Sequence, residues 1–97
     1  LGATALHIAV ENKFIDAIGL LIANGANVNA RNWRGRTPLH LAVSPLISKP
    51  SPLVVDLLIQ HQADVNAPDK DGMTPLTLSV QFGHFSDMRD LFRAGAK

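Results

Sequence analysis

The chain reads as an all-α solenoid, about three stacked helix–turn–helix units joined by hairpin loops. Three observations lead there. Gly2-Ala3-Thr4-Ala5-Leu6-His7-Ile8-Ala9-Val10 returns as Gly35-Arg36-Thr37-Pro38-Leu39-His40-Leu41-Ala42-Val43 and again as Gly72-Met73-Thr74-Pro75-Leu76-Thr77-Leu78-Ser79-Val80, at offsets of 33 and 37 residues. A second block, Leu20-Leu21-Ile22-Ala23-Asn24-Gly25-Ala26-Asn27-Val28-Asn29-Ala30, recurs in phase from Leu57 to Ala67 and more loosely from Asp90 to Ala96. Finally, apolar side chains inside both blocks fall at helical spacing. A period of this length marks units that bury a core only by stacking on one another.

Each element has a local reason. Thr37-Pro38 and Thr74-Pro75 are helix starts: the hydroxyl accepts from free amides of the first turn, and proline at the first helical position has no amide to leave unbonded. The Leu-x-Leu-Ala or Leu-x-Leu-Ser segment behind each start puts large and small apolar groups on one side of a short helix, so the next unit can approach closely. Second helices are expected over Ile15 to Asn24, Leu53 to Gln60 and Phe85 to Ala94. Gly25 and Gly95 end two of them through a left-handed turn that costs glycine nothing. Gln62 holds that place in the middle copy, where positive φ would cost about 1–2 kcal/mol. Between units, the Asn-, Asp- and Gly-rich segments leading to Gly35 and Gly72 carry the chemistry of tight reversals.

Helix, turn, helix and hairpin at this period, with Gly-x-Thr-Pro-Leu-His-Leu-Ala and Gly-Ala-Asn/Asp-Val-Asn-Ala, closely resemble the ankyrin repeat across nearly the whole chain. The resemblance implies a single domain over residues 1–97, with repeats near 1–30, 31–67 and 68–97, the middle one carrying four extra residues. It implies a curved stack whose hairpins and first helices line a groove that binds a protein partner, with no catalytic residues and no cofactor. Transferred position by position, the groove contributors are Trp33, Arg34, Arg36, Lys70, Asp71 and Met73 on the hairpins, and Glu11, Asn12, Gln81 and Phe82 at first-helix ends. Asn29 and Asn66, each eight residues after a Leu, match the pattern that asparagine hydroxylases modify in this family.

The departures from the pattern carry expectations of their own. Ala5 replaces a proline and Thr77 a histidine, weakening two helix starts. Asp87 and Asp90 stand where Ala17 and Leu20, or Val54 and Leu57, stand in the other copies. A buried unpaired carboxylate costs several kcal/mol, so that side of the third repeat is expected to face water as the polar end of the array. The first repeat has no such substitutions around Leu6, Ile8, Ala17, Ile18 and Leu21, and Leu1 opens inside a motif, so earlier repeats are expected in a longer parent. Ser44 to Pro52 holds the insertion and three of the six prolines. Pro45 should end the preceding helix, Ser51-Pro52 should repeat the capping arrangement, and Leu46 and Ile47 either pack on the stack or present a contact, packing being preferred.

Composition excludes several functions. Nine basic against eight acidic side chains leave a net charge of +1, so no global field favours a polyanion, and the acidic hairpin 69–73 beside Arg31, Arg34 and Arg36 disfavours nucleic acid. The absence of cysteine rules out disulfides and thiolate metal sites and fits a reducing, intracellular setting, cytoplasmic or nuclear. His7 and His40 share one register and are explained by hydrogen bonds to Thr and backbone, His84 by a turn and His61 by a helix end, so no metal is expected. Thr4, Thr37 and Thr74 are caps rather than nucleophiles, and Gly35 and Gly72 are single turn glycines, not a phosphate loop. No apolar run approaches the ~18 residues a membrane span needs. Trp33 among Arg31, Arg34 and Arg36 has the composition of an interaction hot spot. The leading reading is therefore a non-catalytic protein-binding module, monomeric as a fragment. The alternatives are a regulator resembling the NF-κB inhibitors, masking a transcription factor, or the docking domain of a larger enzyme or channel.

Overall fold

Three threonines open the first helix of each repeat in the same way. Thr4, Thr37 and Thr74 are extended, accept from the amide three residues on through Oγ1, and receive a reciprocal side chain at His7, His40 or Thr77, a complete capping box each time. The weakening expected from Ala5 and Thr77 therefore does not reach the caps. The computed structural model describes residues 2–44 and 51–97. The described helices are α1 (Ala5–Glu11), α2 (Ile15–Ala23), α3 (Pro38–Val43), α4 (Pro52–Gln60), α5 (Pro75–Gln81) and α6 (Phe85–Arg93). The expectations for Pro45, Leu46 and Ile47 fall outside the described residues.

Within each repeat the two helices pack antiparallel, α1 on α2, α3 on α4 and α5 on α6, and the pairs stack through α1–α3–α5 and α2–α4–α6. Every second helix stops in the same Schellman turn: Ala26, Ala63 and Ala96 donate their amides to Leu21, Leu58 and Leu91. Gly25 and Gly95 supply the positive φ in two copies, and Gln62 adopts it in the third at +74°. α5 and α1 end likewise, at Gly83 and, unforeseen from sequence, at Lys13 with φ +57°, whereas α3 ends on the extended Ser44. The second helices differ at their starts. Phe14, Ser51 and His84 make no side-chain cap bond, so the hydroxyl cap expected of Ser51 is not formed. Its φ and ψ of −116° and 104° leave Pro52 as the local feature that starts α4.

The core is a continuous row of Leu6, Ile18, Leu39, Val43, Val54, Val55, Leu58, Leu78 and Leu91, all nearly inaccessible to water. Equivalent positions differ only by what lies next to them. Leu41 and Leu78 are buried against the preceding repeat, while Ile8 in the same register is 51% exposed. Val10 and Val43 are buried against the following repeat, while Val80 is 54% exposed. With Leu20 exposed at one end and Phe92 at the other, both end faces of the stack present apolar side chains whose interior counterparts, Leu57 and Ile59, are partly buried.

The expected polar end at Asp87 and Asp90 is thereby overturned. Asp87 is fully buried and Asp90 half-buried, because that face of α6 looks back at α4 rather than outward. Asp87 and Leu91 lie one turn apart on the same side of α6. Rotating the carboxylate into water would also expose the fully buried Leu91, at about 1.5–3 kcal/mol.

Candidate functional site

The two hairpins are built alike and fastened to each other. Asn32 accepts the amides of Arg34 and Arg36 on Oδ1, at 2.9 and 3.0 Å, and Asp69 accepts those of Asp71 and Met73, at 2.8 and 2.9 Å. Main-chain bonds from Asn32 to Arg36 and from Asp69 to Met73 close each reversal. The Lys70 amide then donates to the Arg34 carbonyl at 3.0 Å, joining tip to tip. Gly35 makes this approach possible: its φ is +75°, and a Cβ there would lie 3.0 Å from the Lys70 nitrogen.

Beneath the tips, histidines stitch each first helix to the next hairpin. Nδ1 of His40 accepts from the Thr37 amide at 3.0 Å, so Nε2 carries the proton and donates to the Met73 carbonyl at 2.8 Å. His7 does the same between the Thr4 amide and the Arg36 carbonyl. Burial holds the His40 imidazole below its ordinary pKa, against the opposing pull of the Met73 carbonyl and Asp69. The hydrogen bonding expected of His7 and His40 is thus present, with each reaching across a repeat junction.

Asparagines close the opposite side of the hairpins. Asn29 donates to the Gln62 carbonyl and accepts the Asp64 amide, while Asn66 donates to the Gly95 carbonyl and accepts the Lys97 amide. Both polar ends of each side chain are engaged between repeats.

On this scaffold, the sequence-derived surface divides. Trp33 is 61% exposed, with the Arg34 guanidinium 5.8 Å from the ring centroid, a cation–π contact on an otherwise unburied indole. Lys70 and Asp71 are exposed on the adjoining tip. Arg36 does not join them. It is buried, and its Nε lies 3.2 Å from Oδ2 of Asp69, with side-chain exposures of 10% and 1%. Met73 is half-buried against the core, and its carbonyl receives His40. Glu11 and Asn12 end α1 and Gln81 and Phe82 end α5 in matching registers, all exposed; Asn12 donates to Ile8 within its own helix. The middle copy's counterpart of Glu11 and Gln81 is Ser44.

Sequence reasoning placed the acidic hairpin of Asp69 beside the arginines but did not assign Asp69 its role as buried turn acceptor and partner of Arg36. Burial opposes ionisation of its carboxyl, but the amides of Met73 and Asp71 and the Arg36 guanidinium outweigh that and lower its pKa. Its signal was the alignment of Asp69 with Asn32, both turn acceptors at the head of a hairpin. Exposed apolar groups at the starts of the second helices, Ile15, Leu53 and Phe85, were likewise not foreseen.

Among the described residues no group of three or more His, Cys, Asp or Glu side chains is placed to hold a metal, and no helix is long and apolar enough to cross a membrane. Helix pairs stacked through stitched hairpins define a repeat protein of the solenoid class. The chain belongs to the ankyrin repeat family: models described as ankyrin repeats match residues 1–48 and 46–92. Relatives include the NF-kappa-B inhibitor cactus of Drosophila melanogaster, 44% identical over 43 residues, covering 43% of this chain and 9% of that protein. The human transient receptor potential cation channel subfamily A member 1 is 48% identical over 42 residues, covering 43% and 4%. The mouse nuclear factor NF-kappa-B p105 subunit is 51% identical over 43 residues, again covering 43% and 4%. The chain thus spans a small part of the relatives it matches. Ankyrin repeats are generally protein–protein interaction modules and typically non-catalytic.

Proposed function

We propose that the chain is a recognition module that grips a protein partner with its hairpin tips, through Trp33, Arg34, Lys70 and Asp71, and with the first-helix ends at Glu11, Asn12, Gln81 and Phe82. The observation that carries this is Trp33, a large indole left mostly in water yet held on a tip whose backbone is fixed by Asn32, Gly35 and Lys70. A pre-ordered aromatic beside an arginine loses little entropy on binding. Opposite charges on neighbouring tips fit a partner surface of mixed apolar and charged character. Arg36 and Met73 serve this reading as the support beneath the tips. The exposed counterparts of buried junction residues, Ile8 and Val80, support stacking within a longer array. An intracellular setting accords with a chain free of cysteine.

A Trp33→Ala, Arg34→Ala double variant with unchanged circular dichroism should recover far less partner in a pull-down from the parent's source; undiminished recovery refutes the assignment. A second reading, a regulator that masks a transcription factor, is favoured by the two NF-κB-related relatives. Binding of the chain to a Rel-type domain, abolished by the same double variant, would distinguish it.

A further inference from the structure

One carboxyl group of α6 is buried where the fold offers it no hydrogen bond among the described residues. Asp87 is wholly inaccessible, and neither carboxyl oxygen has a hydrogen-bond partner among the described residues. Nδ1 of His84 lies 3.6 Å from Oδ2 and is itself without a hydrogen bond among the described residues. Across the junction, Asp56 of α4 and Asp90 of α6 line one cleft, Asp56 exposed and Asp90 half-buried. α5, the other helix packed on α6, has no charged residue. Arg93 lines the same cleft as Asp56 and Asp90 without closing an ion pair to either, and Arg89 is exposed. The register-equivalent of Asp87 is Val54, buried against the first repeat, so a carboxyl group occupies a place built for a hydrocarbon.

We propose that the α4–α6 junction is a proton-operated joint: with a proton on Asp87 the third repeat is clamped to the second, and with that proton gone it is the first part of the stack to separate. Burial raises the Asp87 pKa, with Asp90 and Asp56 adding to the shift and His84 opposing it. Burial and Asp90 raise that of Asp56. Linkage gives the sign. A carboxyl group whose folded pKa lies above its unfolded value binds more protons when folded, so the joint is tightest in acid and loosens as pH climbs from the ordinary carboxylate range through the raised value.

Hydrogen exchange of the whole chain reads this out as α6 amide protection factors, corrected for intrinsic rates, in steps from about pH 4 to about pH 8. Wild type should lose protection in α6 with rising pH, by roughly tenfold for each pH unit crossed between the ordinary and raised values. Asp87→Val, which installs the residue type of position 54, should remove most of that dependence and raise protection at the higher pH. His40 acts in the opposite direction and is common to both proteins, so it cancels in the comparison. An α6 profile with the same slope in wild type and Asp87→Val overturns the proposal. Carboxyl-carbon NMR of the unaltered chain follows the Asp87 proton directly: a midpoint above the ordinary ~3.9 is expected, and one at that value would also overturn the proposal.

Discussion

Replacing His40 separates two jobs that one side chain performs. The imidazole completes the α3 capping box with Thr37 and also donates across the repeat junction to the Met73 carbonyl at 2.8 Å. The third repeat supplies its own control. Thr77 closes the same box through Oγ1, 2.7 Å from the Thr74 amide, but is too short to reach beyond its own turn. His40→Thr should therefore keep the cap and lose the stitch, leaving the Met73 carbonyl without its imidazole donor at about 1–3 kcal/mol, with a further loss from the cavity. His40→Ala also strips the partner from the Thr37 amide, which is buried, adding about 1–3 kcal/mol. Urea unfolding followed by circular dichroism measures both, and comparison of the two variants isolates the cap. The pH profile adds a separate sign. Because burial lowers the His40 pKa, the unfolded chain takes up the proton first, and this contribution to stability is lost as pH falls from about 6.5 toward the lowered value. Both variants should lack that decline. If His40→Thr matches wild type within a few tenths of a kcal/mol, the histidine stitch holds nothing and the reasoning fails.

Leu39→Ala and Leu58→Ala, each removing a fully buried side chain from the core, should cost about 2–5 kcal/mol in the same urea titration. Gly35→Ala and Gly72→Ala share the left-handed penalty of about 1–2 kcal/mol. Only the former brings a Cβ against the Lys70 nitrogen, so a larger loss at position 35 measures the tip-to-tip contact. Asp69→Asn should flatten the acid side of the stability profile. The Asp69 carboxyl is held below the ordinary carboxylate pKa, so its stabilisation is present above about pH 4 and disappears as pH falls through the lowered value.

Much of this molecule follows from short stretches of sequence. The capping boxes need only a Thr and a side chain three residues on, and the helix stops only a residue able to reach positive φ, so Thr4, Thr37, Thr74, Gly25 and Gly95 could be read directly. Even the strained Gln62 was legible, because its register is shared with two glycines. Lys13 was not, since the turn it occupies matches glycine only in the third repeat. Trp33 was found as an exposed indole because a hairpin tip offers it no core to enter.

What the tertiary structure alone decided was the surroundings of side chains that face another repeat. Arg36 belongs by sequence to a basic tip, yet the neighbouring hairpin brings Asp69 to it and takes its charge out of the surface. Asp87 looks like an outer polar residue until the rotation of α6, fixed by Leu91, turns it onto α4. Ile8, Leu41 and Leu78 share a register and differ in exposure solely through the presence or absence of a preceding repeat. Periodicity fixes which way a side chain points along its own helix, but burial and pairing depend on the unit stacked against it, and that unit lies more than 30 residues away in the chain.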